Sequence, residues 1–111
     1  MDSLTNKYLE DIKTHIEEID SFFINRQKRF DEFEKDIVLR KAIMMNIAII
    51  GEAMGKILKI NPEINITSAR KIVNTRNYII HGYDSFQSDI LWGIVIRHLP
   101  KLKEEVASLL P

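Results

Sequence analysis

The residues best suited to chemistry lie in a 20-residue stretch from Ile64 to Tyr83. This stretch has no acidic residue, although 16 of the 111 residues are acidic, and it contains the basic residues Arg70, Lys71, Arg76 and His81. Arginine binds phosphate through paired N–H donors, and histidine transfers protons near neutral pH. An arginine, an imidazole and the phenol of Tyr83 together suggest chemistry on a phosphate group.

The spacing within this stretch restricts how the three groups can meet. Arg76 and Tyr83 are seven residues apart, which places them on one face of a continuous helix. His81 would lie about 140° from Arg76 around an ideal helix. It joins them only if the helix ends at Gly82 and the chain turns. Each residue also has an ordinary structural role open to it: a capping histidine, a surface arginine in an ion pair, or a tyrosine that packs the turn.

The elements that must position these residues are all predicted to be helices. Apolar residues three or four apart predict helices over about 3–24, 37–60, 67–81 and 89–109. Residues 25–36 are dense in charge and predict a solvated connection, in which Phe30 and Phe33 form one short turn. Gly82 is expected to stop the third helix, and Pro100 to kink or break the fourth. We therefore expect an all-α, four- to five-helix up-down bundle that forms a single domain over residues 1–111.

The second long helix is apolar nearly all round between Ile43 and Met54. Such a helix must be covered on more than one side, so we expect a central position and a face buried by a partner subunit. Gly51 and Gly55 lie four apart and favour close helix packing. Glu52 is an acid inside this apolar segment, where a buried carboxylate needs a partner. It either orients Arg76 or another basic residue of the candidate site, or forms an ordinary interhelical ion pair.

The charge is unevenly distributed along the chain. Residues 1–36 hold ten acids and six bases, whereas residues 37–111 hold six acids and ten bases, so the net charge of zero is a cancellation. Zero cysteine excludes disulfides, thiolate zinc sites and cysteine nucleophiles. Three scattered histidines and no phosphate-binding loop imply no metal and no cofactor. No signal peptide or apolar run long enough to span a membrane is visible, which favours a cytoplasmic protein without a membrane partner.

Several motifs together resemble the HepT-like toxins of the HEPN (higher eukaryote and prokaryote nucleotide-binding) superfamily. The resemblance rests on Arg-x4-His-x-Tyr at residues 76–83, with Asn77 directly after the arginine. Upstream, Ile49-Ile50-Gly51-Glu52-Ala53 is similar to the IGEA segment of the family, and Pro62-Glu63-Ile64 to its turn. Leu99-Pro100-x-Leu102 is similar to the last helix, whereas Asn65-Ile66 stands where the family often has Pro-Trp.

The resemblance implies a metal-independent endoribonuclease that cleaves tRNA or mRNA. It would be the toxin of a type II-like or type VII toxin–antitoxin pair, with RNA rather than DNA as its substrate. Family members are homodimers with their sites at the dimer interface. Carried onto this chain, Arg76 and His81 are catalytic and Asn77 supports them. From the residues themselves, Glu52 is a further supporting candidate, and Arg70 and Lys71 are candidates for RNA contact. Tyr83 matches the tyrosine that a cognate nucleotidyltransferase antitoxin modifies with AMP.

Two other functions are compatible with the same residues. The bundle could be a non-catalytic module that docks a nucleotidyltransferase or binds a substrate or nucleotide. It could also be a purely structural helical dimer. Cleavage of RNA in EDTA distinguishes the metal-independent endoribonuclease from these two functions.

Overall fold

A computed structural model describes residues 2–82 and 88–111, and every regular element in these ranges is helical. The elements are α1 (Ser3–Ser21), α2 (Phe30–Lys35), α3 (Ile37–Ile60), α4 (Ala69–Gly82), α5 (Ser88–Gly93), a π-helical turn (Ile94–His98) and α6 (Leu99–Leu109). The prediction of an all-α bundle is confirmed. Residues 83–87, between α4 and α5, lie outside the described residues.

Helix α1 forms because its apolar residues recur on one face and Asp2 caps its start. The carboxylate of Asp2 accepts a hydrogen bond from the backbone N–H of Thr5 at 2.8 Å, which satisfies one of the unpaired donors of the first turn. Ile12, Ile16 and Ile19 are buried as predicted, but Leu4 is 47% exposed because it lies in the first turn. The helix ends at Ser21, three residues before the predicted end.

The charged connection contains the short helix that its two phenylalanines predict. Phe33 of α2 is fully buried, and its ring centroid lies 4.9 Å from that of Trp92 on α5. The basic residues around it are paired with nearby acids: Arg29 with Asp31 at 3.2 Å and Arg26 with Asp36 at 3.6 Å. This segment is therefore a solvated connection attached to the core by aromatic packing.

Helix α3 is the central element of the fold and packs against both α1 and α4. The Cα atoms extend only 18 Å in their thinnest direction, which corresponds to two layers of helices. One side of α3 therefore remains uncovered within the chain, and Met45 is 63% exposed although Ile43 and Ile47 are completely buried. Among the described residues, no helix is both long and apolar enough to span a bilayer.

Helix α4 begins at Ala69, two residues after the predicted start, and continues through Gly82. The backbone N–H and the hydroxyl of Thr67 both donate to the carboxylate of Glu105 on α6, at 3.0 and 2.7 Å to Oε2. Gly82 belongs to the last turn of α4, so the prediction that it lies just past the helix is wrong by one position. Ile79 is 6% exposed, whereas the next residue, Ile80, is 49% exposed because α4 turns it away from the core.

The predicted break at Pro100 is present as a change of helix type just before it. Pro100 has no N–H to donate, and its ring would clash with the carbonyl of Ile96 in a regular α-helix. The preceding turn widens, and the N–H of Leu99 donates to the carbonyl of Ile94, five residues back. This π-helical turn joins α5 to α6, and α6 packs on α1. Lys103 of α6 forms a salt bridge with Asp20 of α1 at 2.8 Å.

Candidate active site on helix α4

The close crossing of α3 and α4 depends on Gly51. A Cβ atom at residue 51 would lie 2.3 Å from Cβ of Arg76 and 3.0 Å from the carbonyl oxygen of Ile72. Only a hydrogen in place of a side chain permits this approach. At Gly55 the nearest atom would be Cγ2 of Val73 at 3.9 Å, which is an ordinary contact. The prediction that this glycine pair marks close helix packing is thus confirmed for Gly51, whereas Gly55 does not require the missing side chain.

This close crossing holds the guanidinium of Arg76 between two oxygen acceptors. Nη2 of Arg76 lies 2.7 Å from Oε2 of Glu52 on α3, and Nη1 donates to Oδ1 of Asn77 at 2.9 Å. The side chain of Arg76 is 31% exposed. Because a guanidinium has five N–H donors, donors remain for a phosphate approaching from solvent. The structure therefore places Arg76, Asn77 and Glu52 together.

Glu52 does not lie in the apolar surroundings that the sequence suggested. Its side chain is 48% exposed, and its other oxygen, Oε1, lies 3.9 Å from Nζ of Lys56. The prediction of a buried carboxylate is wrong because Glu52 lies at the edge of the α3–α4 contact, where one turn of an otherwise apolar helix reaches solvent. Its pairing with Arg76 is the contact that the sequence suggested.

His81 occupies the last turn of α4 and is exposed. It lies five positions after Arg76 within one continuous helix, so the two side chains leave α4 about 140° apart. The expected turn at Gly82 does not bring them together, because the helix continues through that residue. Arg70 and Lys71 are also exposed on α4, ten or more residues before His81. Tyr83 lies outside the described residues.

The other two histidines have different surroundings. Nδ1 of His15 lies 3.1 Å from Oδ1 of Asn46, which links α1 to α3 inside the bundle. His98, at the end of the π-helical turn, lines a cleft of 260 Å³ between this turn and α4, together with Lys71 and Arg97. Burial lowers the pKa of His98, and the positive charges of Lys71 and Arg97 lower it further.

The sequence analysis missed this cleft because its residues are far apart in the chain. Lys71 and His98 are separated by 26 intervening residues, and no motif connects them. A signal was present in Pro100, which predicted an irregular helix, and irregular turns of the π type are frequent at functional sites. Among the described residues, no group of three or more histidines and carboxylates could hold a metal ion.

Comparison with known proteins identifies related sequences over nearly the whole chain. The family model described as "HepT-like: Ribonuclease HepT-like" matches residues 12–109. The chain is 33% identical to the "Probable ribonuclease HepT" of Thermococcus cleftensis over 106 residues, which cover 92% of each protein. It is 31% identical to a protein of Caldanaerobacter subterraneus that is named as an RNase, covering 93% of this chain and 91% of that protein. A protein of Methanocaldococcus jannaschii, also named as an RNase, is 29% identical over 108 residues. No solved structure matches.

Proposed function

Because the chain belongs to the family of HepT-like ribonucleases, we propose that it is a metal-independent endoribonuclease that uses Arg76 and His81. The observation that carries this proposal is the guanidinium of Arg76, which is fixed by Glu52 and Asn77 and still partly exposed. Glu52 and Asn77 act as positioning residues, because each holds one Nη atom of the arginine. The resemblance in the sequence to the HepT-like family agrees with the match over residues 12–109.

The proposed reaction is an internal displacement at a phosphodiester of RNA. A base removes the proton of a ribose 2′-hydroxyl, the O2′–P bond forms, and the P–O5′ bond breaks. An acid then protonates the departing O5′. Arg76 stabilises the negative charge on the phosphorane. One imidazole acts as the base and a second imidazole acts as the acid. One protomer supplies a single histidine on α4, so the second imidazole would be His81 of a second copy.

We propose that the second copy docks on an apolar face formed by α3 and α4. This face contains a shallow groove of 340 Å³ lined by Lys41, Met44, Met45, Ala48, Ile79 and Ile80. Met45 on α3 and Ile80 on α4 are 63% and 49% exposed, whereas Ile43, Ile47 and Ile50 on α3 are completely buried. His81 directly follows Ile80. A two-fold axis through this face would therefore bring two copies of His81 near one cleft.

The activity is tested by incubating RNA with the wild-type chain, Arg76→Ala and His81→Ala in EDTA. We expect the wild type to cleave RNA and each variant to lose at least about 100-fold in rate, because each loses a group that acts in the transition state. Arg29→Ala is the matched control, since Arg29 is an exposed arginine paired with Asp31 far from α4. Intact RNA with the folded wild type would remove the nuclease and favour a module that docks a nucleotidyltransferase.

The dimer is tested by sedimentation of the wild type, Met45→Glu and Ile80→Glu. We expect both variants to sediment as folded monomers and to lose cleavage together with dimerisation. Ile24→Glu is the control, because Ile24 is 74% exposed but lies outside the α3–α4 face. A wild type that cleaves RNA as a monomer would contradict the shared site.

We further propose that the chain is the toxin of a toxin–antitoxin pair in the cytoplasm and that AMP transfer to Tyr83 silences it. In this step the phenol oxygen of Tyr83 would attack the α-phosphate of ATP held by a nucleotidyltransferase, with release of pyrophosphate. The added phosphate would stand two residues after His81 and repel RNA. Mass spectrometry after co-expression with a cognate nucleotidyltransferase tests this. A mass increase of one AMP is expected in the wild type and should be absent in Tyr83→Phe.

A further inference from the structure

The cleft between α4 and the π-helical turn has the charge and shape of a site for an anionic chain. It is lined by Lys71 from α4, by Arg97 and His98 from the π-helical turn, and by Asp89 from α5. Neither Lys71 nor Arg97 forms a salt bridge among the residues that the structure describes. In contrast, Lys103 and Arg29 are paired with nearby carboxylates. The cleft therefore contains two cationic side chains, Lys71 and Arg97, and one carboxylate, Asp89.

The orientation of these residues follows from Pro100. Because Pro100 widens the preceding turn, Arg97 and His98 lie on a π-helical turn rather than on a regular α-helix. Nη2 of Arg97 lies 3.9 Å from the position of a Cβ on Gly93, so the guanidinium folds back over that glycine beside the cleft. The two residues and Lys71 are close enough that the charges of Lys71 and Arg97 both lower the pKa of His98.

The cleft is continuous with a hollow that leads along α4 toward His81. A neighbouring hollow of 440 Å³ shares Lys71 and Thr75 with the cleft and adds Asn74 and Tyr78. Lys71, Asn74, Tyr78 and His81 are spaced by three, four and three residues, so they form one stripe on α4. At a rise of 1.5 Å per residue, this stripe is about 15 Å long.

We propose that this cleft is a subsite for single-stranded RNA, in which Lys71 and Arg97 bind phosphates of the backbone away from the scissile bond. The inference rests on the proposed ribonuclease function and names where its substrate runs. A single nucleotide would not reach from Lys71 to His81, whereas an RNA strand laid along the stripe would. Tyr78, which is 48% exposed, offers an aromatic side chain on which a base can stack between the two ends. His98 lies beside the bound phosphate.

The test compares two variants that each remove two positive charges. Lys71→Ala/Arg97→Ala alters the cleft, whereas Lys13→Ala/Arg29→Ala removes an exposed lysine from α1 and an exposed arginine that precedes α2. Binding of a short, uncleavable 2′-O-methyl oligoribonucleotide is measured by fluorescence anisotropy at several salt concentrations in EDTA. All four substituted residues are exposed, so both variants should fold, and their thermal unfolding is checked.

We expect the cleft variant to bind about tenfold more weakly than the control variant, with a smaller salt dependence. Each lost phosphate contact lowers the slope of log K against log salt by about 0.7 for a single strand, so two lower it by about 1.4. Equal affinities and slopes for the two variants would overturn the subsite, as would a wild type that does not bind the oligonucleotide. Binding without cleavage of ordinary RNA would instead overturn the nuclease and leave the subsite standing.

Cleavage of RNA substrates of different lengths distinguishes the role of this subsite from that of the catalytic residues. The only internucleotide phosphate of a dinucleotide substrate is the scissile one, so no further backbone phosphate is left for Lys71 or Arg97 to bind. We therefore expect the cleft variant to cleave a dinucleotide as fast as the control variant does. On longer RNA its KM should rise while kcat stays unchanged. A fall of kcat on the dinucleotide would show that Lys71 or Arg97 acts on the active site itself and would contradict the proposal.

Discussion

The two sides of α4 position their cationic groups in different ways. On the side facing α3, the helices approach until only a hydrogen fits at Gly51, and one arginine is held between a carboxylate and an amide oxygen. On the side facing the π-helical turn, the surfaces stay apart and leave a cleft of 260 Å³, in which Lys71 and Arg97 have no carboxylate within salt-bridge distance among the described residues. The first arrangement fixes one group, and the second leaves an adaptable surface.

Under the proposed function, this difference corresponds to two separate tasks of a ribonuclease. A group that stabilises a transition state must be held in position before the reaction, since a misplacement of about 1 Å can cost about 100-fold in rate. Contacts to the remote backbone of a nucleic acid add affinity and orientation, and flexible side chains satisfy them. The salt bridge between Arg76 and Glu52 is too exposed to add more than about 1 kcal/mol to the free energy of unfolding. Its value therefore lies in orienting the arginine.

The largest expected effect comes from breaking the close crossing. Gly51→Ala places a methyl group against Arg76 and the α4 backbone, and we expect the free energy of unfolding to fall by about 1–3 kcal/mol. Cleavage should fall by about 100-fold, because the side chain of Arg76 must move. Chemical denaturation and RNA cleavage measure the two effects.

Gly55→Ala is the matched control on the same helix. Its new Cβ would make only an ordinary contact with Val73, and alanine favours the helix over glycine by up to about 1 kcal/mol. We expect unchanged cleavage and equal or greater stability. If Gly51→Ala were as stable and active as Gly55→Ala, the close crossing would not be what positions Arg76.

A smaller effect is expected when only the charge that orients Arg76 is removed. Glu52→Gln keeps an oxygen acceptor for Nη2 but loses the negative charge, so the salt bridge becomes a hydrogen bond between a cation and a neutral amide. We expect cleavage to fall by about 3- to 10-fold, with a change of less than about 1 kcal/mol in the free energy of unfolding. Glu63→Gln is the control, because it changes the net charge equally in the exposed turn before α4. Equal rates for the two variants would make the ion pair merely structural.

The α3–α4 side could be predicted from the sequence because its determinants are local. Asn77 is adjacent to Arg76 in the chain, and Gly51 is adjacent to Glu52, so two short motifs specify four interacting residues. The periodicity also predicted α3 with its observed bounds, Ile37–Ile60. The prediction of a buried Glu52 was wrong because periodicity describes a whole helix, whereas the exposure of one side chain depends on where the neighbouring helix ends its contact.

The cleft side could not be predicted, because its residues come from separate elements. Pro100 predicted an irregular helix. It did not predict that the irregular turn would lie entirely before the proline, or that this turn would face α4. The positions of Arg97 and His98 depend on how far the chain rotates in a π-helical turn, and the sequence pattern does not encode that rotation. The rest of the fold holds α5 and the π-helical turn opposite α4, so only the structure reveals the site.

The smallest expected effect is a change in the titration of His98, which reports on the cleft without altering it. The pKa of His98 lies below 6.5 because of burial and the charges of Lys71 and Arg97, whereas Asp89 is the carboxylate that lines the same cleft. The folded state therefore favours neutral His98. Its contribution to the free energy of unfolding is complete above about pH 6.5 and is lost as the pH falls through the lower, folded pKa. An RNA phosphate beside His98 would favour the charged imidazole, so binding of the uncleavable oligonucleotide should raise this pKa.

NMR titration of the imidazole, assigned with His98→Asn, measures the shift. Lys71→Ala/Arg97→Ala should raise the pKa of His98 in the free protein and reduce the further increase on RNA binding. An unchanged pKa on RNA binding to the wild type would mean that the phosphates do not enter the cleft.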